Sequence, residues 1–188
     1  MEHPTQERSF EQIAKELSPP LLRYLQRYVG ERTVGDDLLQ ETLIRMAQGL
    51  PGFAGRSSLK TWAFAIATHV AADYFRNPER RLHIVEVDEA AELADTDRST
   101  DERIVVDEMN TCMREVIDSL PEAYRAALVL HDLEDLTAQQ IAEICNCSLA
   151  TAKMRIHRAR NRLKDALQQQ CQFYRDDDEV FRCERKPK

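Results

Sequence analysis

Apolar residues recur at steps of three and four along two long stretches of the chain, which is the spacing of one face of an α-helix. The first stretch, residues 21–74, predicts three helices that bury their apolar faces in one compact unit. The predicted buried stripes are Leu21, Leu22, Leu25, Tyr28 and Val29 in the first helix, Leu38, Leu39, Thr42, Leu43, Met46 and Leu50 in the second, and Leu59, Trp62, Ile66, Val70 and Tyr74 in the third.

Residues that start or stop helices set the expected bounds of these three elements. Pro19-Pro20 precedes the first stripe at positions where a helix can start, and Gly30 suits the end of that helix. Asp36-Asp37 carries the negative charge that favours the start of the second helix. Asn77-Pro78 is predicted to end the third helix, because the residue before a proline disfavours helical conformation.

The second stretch predicts another helical unit over residues 100–168. Thr100 is expected to cap its first helix, and Pro121 to lie in the first turn of the next. The segment Thr137–Gln140 has the capping-box pattern that starts a short helix, Asn146 suits the left-handed turn that ends it, and Ser148 can cap the last helix. The residues expected inside this unit are Ile104, Val105, Met109, Val116, Ile117, Tyr124, Ala127, Leu128, Leu130, Ile141, Ala142 and Ile144.

Charge is distributed unevenly along the chain, whose formal net charge is -7. Acidic residues dominate residues 86–118, whereas cations gather after position 150 as Lys153, Arg155, Arg158, Arg160, Arg162 and Lys164. Such asymmetry indicates that different segments meet different partners. We therefore predict an all-α protein with two small helical domains, residues 1–78 and 100–168, joined by a flexible acidic linker at 79–99 and followed by a tail at 169–188.

The short capped helix, the turn at Asn146 and the basic helix after Ser148 form the pattern of a helix-turn-helix. The face of the basic helix predicted to pack in the core carries Leu149, Ala152, Ile156, Ala159, Leu163 and Ala166. The residues predicted to reach DNA from its first turns are Thr151, Lys153, Met154, Arg155, His157 and Arg158. The alternative interpretation is that the basic run is only a solvated helix face.

Two further features bear on where the protein works. No window of about 18 apolar residues exists, so we expect no insertion into a membrane. The N-terminal residues lack the basic start and apolar core of a signal peptide. These observations predict a cytoplasmic protein whose thiols stay reduced.

Two blocks of the sequence resemble those of bacterial RNA polymerase sigma factors of the extracytoplasmic function (ECF) group, in the sigma-70 family. GDDLLQETLIRMAQGLPGF and the following GRSSLKTWAFAIATHVAADYFRN resemble sigma region 2. DSLPEAYRAALVLHDLEDLTAQQIAEICNCSLATAKMRIHRARNRLKDAL resembles sigma region 4. The resemblance implies a subunit that is not an enzyme, needs no cofactor, and binds core RNA polymerase and promoter DNA, with an anti-sigma factor as a further expected partner.

The resemblance also implies roles for residues at matching positions. Asp37, Gln40 and Glu41 match the surface that binds the clamp helices of the polymerase, although a solvated helix face is the alternative for each. The residues that match the part opening and reading the -10 element are Phe53, Arg56, Ser57, Ser58, Lys60, Phe64, Thr68 and His69. The basic helix matches the reader of the -35 element. Trp62 lies on the apolar stripe and is expected in the core, with Phe64 the more exposed of the two aromatic residues.

The sequence departs from the family pattern at two places. The run from Ala65 to His69 replaces an Arg-Ile-Ala-Arg-Asn-like run, so two cationic contacts are missing. Met154 occupies a position often held by serine, which predicts a different -35 preference. For the acidic linker two interpretations stay open, a mimic of nucleic-acid phosphates in a polymerase channel and a solubilising tether.

The cysteines leave a second class of function open. Cys145 and Cys147 are separated by one residue, an awkward spacing for zinc, so structural thiols are expected there. Cys171 and Cys183 are the candidate metal ligands of the tail, which is expected to be a frayed end, a small hairpin being the alternative. The competing functions are a stand-alone helix-turn-helix regulator and a thiol-based metal or redox sensor.

Overall fold

The computed structural model describes residues 9–77, 113–175 and 181–186. Three helices form an N-terminal unit, namely α1 (Phe10–Val29), α2 (Arg32–Gly49) and α3 (Leu59–Arg76), with a short 3-10 turn (Leu50–Gly52) after α2. The linker predicted over 79–99, the cap predicted at Thr100 and the core positions predicted at Ile104, Val105 and Met109 lie outside the described residues.

Helix α1 begins ten residues earlier than the prolines indicated. Ser9 and Gln12 form a complete capping box, in which each side chain bonds the backbone N–H of the other residue. Ile13 and Leu17 are buried, so the apolar stripe extends back to this cap. Pro19-Pro20 therefore lies inside the helix, and the prediction that it starts α1 is wrong. Packing of the stripe outweighs the cost of interior prolines, about 3 kcal/mol each or more.

Helix α2 also starts earlier than predicted, at Arg32 rather than at Asp36-Asp37. Val34 and Gly35 are buried in its first turns, so packing rather than N-terminal charge decides the start. A Cβ atom at Gly35 would lie 2.5 Å from Cγ of Gln26 in α1. The absence of a side chain at this position lets α1 and α2 approach closely.

The C-terminal unit contains the predicted helix-turn-helix. Residues 113–118 are helical, and three further helices follow: α4 (Glu122–Leu128), which continues into a π-helical turn (Val129–Leu133), α5 (Ala138–Ile144) and α6 (Leu149–Gln170). Both hydrogen bonds of the capping box at Thr137 and Gln140 are present. Asn146 has φ 47°, and Ser148 Oγ accepts from Thr151 N at 3.1 Å. The predicted caps of α5 and α6 and the left-handed turn between these helices are confirmed.

The tail forms a hairpin instead of the expected frayed end. Strand β1 (Cys171–Arg175) pairs antiparallel with β2 (Phe181–Arg185). Cys171 is buried where α6 ends, and the backbone N–H of Lys186 donates to the Gln170 carbonyl at 2.8 Å. Backbone pairing and this attachment to α6 hold the tail. The register sets Cys171 opposite Arg185 and Cys183 opposite Phe173, so the two cysteines are not cross-strand partners.

The two units pack directly on each other and share one hydrophobic core. Helix α3 packs against α5, and α1 packs against the π-helical turn. Buried side chains from both units belong to this core, including Tyr24 and Phe64 on one side and Leu130 and Ile141 on the other. Among the described residues, no helix is long and apolar enough to cross a bilayer. The fold is all-α as predicted, apart from the terminal hairpin.

Candidate nucleic-acid and polymerase interfaces

Helix α6 presents most of its predicted DNA-binding side chains to solvent. Its inner face buries Ala152, Ile156 and Ala159. The exposed residues on the other side are Lys153, Met154, His157 and Arg158, while Thr151 and Arg155 are half-buried. Because the cap at Ser148 fixes the helix start, these side chains lie in the first three turns, where a recognition helix reaches base edges.

The two half-buried residues are tied to the helix-turn-helix corner. Thr151 Oγ1 lies 2.8 Å from Ser148 Oγ. Arg155 lies close enough to the thiol of Cys145 for its charge to act on that group. Burial, reinforced by the neighbouring Cys147, raises the pKa of Cys145 to about 11, and this thiol therefore stays protonated at neutral pH. Cys145 is consistent with the structural role predicted for it.

Later turns of α6 make contacts that the sequence did not reveal. Arg160 Nε lies 3.0 and 3.1 Å from the two carboxylate oxygens of Asp132. The Arg162 guanidinium stacks over the Tyr124 ring at 5.0 Å. Interaction with the Arg158 side chain, helped by the charges of Arg162 and Arg155, lowers the pKa of Tyr124. Tyr124 is half-buried and packs against Leu120, Leu128 and Ala159, as predicted for a residue facing the core, and its ring also contacts Arg162 of α6.

The loop between α2 and α3 encloses a cavity beside a pair of aromatic rings. The centroids of Phe53 and Trp62 are 5.1 Å apart. The cavity has a volume of about 270 Å³, and its lining residues are Gly52, Phe53, Ala54, Arg56, Ser57, Thr61, Trp62, Ala65 and Glu143. Glu143 belongs to α5, so the C-terminal unit contributes to the wall. Ser58 caps α3 by accepting from Thr61 N at 3.0 Å.

Two residues predicted to contact the -10 element are buried. Phe64 has no exposed surface and lies 5.4 Å from the Tyr24 ring, centroid to centroid. Thr68 is 8% exposed, and its Oγ1 lies 2.8 Å from Tyr24 Oη. Trp62 is half-buried, so the prediction that Phe64 is the more exposed aromatic residue is wrong. The reason is that α3 carries apolar residues around most of its circumference, and their spacing does not single out one inner face.

The other predicted -10 residues remain accessible. Arg56, Ser58, Lys60 and His69 are exposed, and Ser57 is half-buried at the cavity. The structure therefore brings the loop residues together around the cavity. It separates them from Phe64 and Thr68, which lie in the packed core.

The surface of α2 predicted to bind polymerase is an open groove. Asp37 and Gln40 are exposed, while Glu41 is half-buried and bonded to Arg45 at 2.5 Å. Arg45 also donates to Asp73 of α3 at 3.2 Å. Ile44 is 58% exposed in the middle of this groove. Its position one residue after Leu43, and therefore off the buried stripe, was the feature of the sequence that could have indicated that Ile44 is exposed.

The candidate metal ligands do not form a cluster in the part of the chain that the structure describes. No group of three or more His, Cys, Asp and Glu residues there is arranged to hold a metal ion. Cys171 is buried beside the end of α6. The side chain of Cys183 lies outside the described part.

Comparison with known proteins gives matches over both units. The family model for sigma-70 region 2 matches residues 13–81, and the model for sigma-70 region 4 matches residues 110–163. The ECF RNA polymerase sigma factor SigC of Mycobacterium tuberculosis is 33% identical over 156 residues, covering 83% of this chain and 82% of that protein. The RNA polymerase sigma factor SigZ of Bacillus subtilis is 27% identical over 168 residues, covering 89% and 92%.

Solved structures share the fold. The sigma factor RpoE from Bartonella quintana, in a co-crystal with the anti-sigma factor NepR, superposes with a TM-score of 0.66. It is 24% identical, and the match covers 85% of this chain and 96% of that one. CnrH, in complex with the cytosolic domain of CnrY, has a TM-score of 0.61 with 19% identity, covering 87% and 90%.

Proposed function

Since the chain belongs to the ECF group of the sigma-70 family of RNA polymerase sigma factors, we propose that it joins core RNA polymerase in the cytoplasm and directs it to promoters. The observation that carries this proposal is the exposed basic face of α6, which is set on a correctly capped helix-turn-helix. The protein adds recognition of DNA to the polymerase, and the chemistry of RNA synthesis belongs to the polymerase.

Helix α6 reads the -35 element in this proposal. Lys153, Met154, His157 and Arg158 extend into the major groove, where their side chains meet base edges. Arg158 lies close enough to Tyr124 to lower the pKa of the phenol, so the tyrosine lies beside the proposed DNA-reading surface. Arg160 and Arg162 are held by partners within the unit and serve as positioned charges near the DNA backbone.

The loop of the N-terminal unit reads the -10 element. Unstacking a base costs a few kcal/mol, which a site must offset by stacking and hydrogen bonding. The cavity offers the Phe53–Trp62 pair for stacking, with the Arg56 and Ser57 side chains at its edge. An unpaired base of the -10 element is the ligand that we assign to this cavity.

The groove of α2 binds the polymerase. Asp37, Gln40 and Glu41 supply polar contacts around the exposed side chain of Ile44. An apolar centre with a polar rim is the usual composition of a protein interface. Because the solved neighbours are sigma factors bound to anti-sigma factors, we also propose that an anti-sigma factor binds this chain.

Reconstitution of initiation tests the proposed function. Core polymerase is supplied with the full chain on a promoter mapped from RNA 5′ ends after overexpression, and core polymerase alone serves as control. We expect specific transcripts only with the chain, and fewer with Ile44→Asp than with Ala47→Asp, an exposed position on the same helix outside the groove. Absence of specific initiation with wild-type chain would favour a stand-alone regulator.

A further inference from the structure

A carboxylate of the C-terminal unit is buried against cations of the N-terminal unit. Glu134 follows the π-helical turn, and its side chain is only 4% exposed. Arg27 Nη1 lies 3.1 Å from Glu134 Oε1, and Arg23 Nη2 lies 4.0 Å from Oε2. Both arginines belong to α1. The contact therefore joins the two units through opposite charges.

Lys60 of α3 adds a third cation to this site. Its charge acts on Glu134, and its ammonium group lies 5.7 Å from the centroid of the Phe64 ring. Burial nevertheless raises the pKa of Glu134 despite all three cations. Because Glu134 is almost wholly removed from water while Arg23 and Arg27 stay partly exposed, a ligand that satisfies the same cations while staying partly hydrated competes with Glu134.

The three cations keep access to solvent on their outer sides. The side chains of Arg23 and Arg27 are 55% and 44% exposed, and Lys60 is exposed as well. Lys60 begins α3 directly after the loop that forms the cavity. Lys60 therefore adjoins the loop proposed to hold the -10 element, and its charge acts on the same carboxylate as the arginines of α1.

A second set of contacts holds the same arrangement of the units. The Arg125 guanidinium donates to the Tyr28 carbonyl at 3.2 Å and stacks over the Phe75 ring at 5.3 Å. Tyr28 Oη donates to Glu122 at 3.3 Å. These contacts and the shared core hold Glu134 against the cations. We call this packing of the two units the closed arrangement.

We infer that Arg23, Arg27 and Lys60 form a phosphate-binding site for promoter DNA, and that Glu134 occupies this site in the closed arrangement in place of a DNA phosphate. The inference rests on the proposed function. Promoter DNA and the C-terminal unit then compete for one surface of the N-terminal unit. Engagement of the -10 element requires Glu134 to leave.

Binding of the full chain to labelled DNA tests this competition without polymerase. Fluorescence anisotropy is recorded with single-stranded and duplex oligonucleotides of random sequence across a salt series. Glu134→Ala is expected to bind more tightly, and the slope of log K against log salt should steepen by about 0.7–0.9 for each cation that gains a phosphate. Asp36→Ala, which removes an exposed carboxylate elsewhere, is the matched control and should behave like wild type.

Double variants identify which cations are responsible. Adding Arg23→Ala or Lys60→Ala to Glu134→Ala should remove part of the gain, whereas adding Arg158→Ala should leave the gain in place. An unchanged salt slope in Glu134→Ala overturns the inference, and so does a gain that depends on Arg158 alone. Thermal unfolding confirms that each variant is folded. Failure of the proposed function would appear separately, as wild-type chain that does not support initiation by polymerase.

Discussion

Helix α6 and helix α3, which follows the loop proposed to read the -10 element, differ in how much of their surface is already packed against other helices. Helix α6 packs through one face, and the opposite side of its first turns is open. Helix α3 packs against α1, α2 and α5, and it keeps solvent contact near its first turn, at His69 and at its C-terminal end. Under the proposed function, the -35 element could reach α6 in the closed arrangement, whereas the proposed -10 surface is limited by the neighbouring unit. The two parts of a promoter would then gain access to the chain separately.

Helix α5 packs against both α3 and α6, so we expect its disruption to have the largest effect. Ala142 is 5% exposed in α5, which packs against α3 and α6. Ala142→Arg would overpack this site and bury a charge, so we expect a loss of about 3 kcal/mol or more in the free energy of unfolding. Chemical denaturation measures the loss, with Gln139→Arg at an exposed position as control. Equal stability of the two variants would contradict the placement of α5.

Within the N-terminal unit, Gly35→Ala tests the packing of α2 on α1 without touching α6. The new Cβ would meet Gln26 Cγ at 2.5 Å, and we expect a loss of about 1–3 kcal/mol in stability. Gly52→Ala has no atom within 4 Å of its Cβ and is the matched control. Denaturation midpoints of the two variants give the comparison, and a stabilised Gly35→Ala would show that α1 and α2 are less tightly packed.

On the open helix, Arg158→Ala should weaken promoter recognition while leaving the fold intact. Loss of a base contact typically costs about 1–3 kcal/mol, and exposed substitutions change stability by about 0.5 kcal/mol or less. Transcription from the mapped promoter measures the first effect and thermal unfolding the second. Lys164→Ala, farther along α6, is the control. Equal transcription from wild type and Arg158→Ala would remove α6 from the -35 assignment.

The charge contact between the units predicts a pH dependence of smaller size. Burial raises the pKa of Glu134 and of Asp118, so between the ordinary pKa of about 4 and the raised values these two groups hold more protons in the folded protein than in the unfolded chain. Their contribution is most favourable at low pH and is lost as pH rises through the raised values. Melting temperatures of wild type should therefore fall more steeply towards neutral pH than those of Glu134→Gln. Melting temperatures of wild type and Glu134→Gln that change in parallel with pH would contradict the assignment of this pH dependence to Glu134.

Tyr124→Phe has the smallest expected effect, because it removes only the hydroxyl that interacts with Arg158. A single hydrogen bond of this kind contributes about 0.5–1.5 kcal/mol. Promoter affinity should decline by less than in Arg158→Ala, and the double variant should be no weaker than Arg158→Ala alone. Additive losses in this cycle would show that Tyr124 acts independently.

Local signals explain why α5 and α6 could be predicted while α3 could not be oriented. The caps at Thr137 and Ser148 depend on residues three positions apart, and α6 has charged residues opposite its apolar stripe. In α3, Trp62, Phe64 and Ile66 are all apolar, so the choice of inner face depends on which helices pack around it. The helix start at Phe10 was missed because packing overrode the two prolines.

Contacts between the units carried no local signal in the sequence. Arg27 and Glu134 are 107 residues apart, and neither lies in a motif that predicts its partner. The hairpin of the tail was also missed as the favoured outcome, since it depends on the attachment of Lys186 to the end of α6. The residues proposed to bind polymerase and DNA were assigned from the family resemblance, and their roles stay predictions.

Because of the π-helical turn, the number of residues between α4 and α5 is as important for the structure as their identity. Its wide hydrogen bond, from Glu134 N to the Val129 carbonyl at 3.1 Å, accommodates one residue more than an α-turn does. Asp132 in this turn meets Arg160 of its own unit, while Glu134 points to the other unit. Deleting a single residue here would rotate α4 by about 100° relative to the helix-turn-helix after it. A relative with a shorter segment here could not place both carboxylates, those of Asp132 and Glu134, against their arginine partners at the same time.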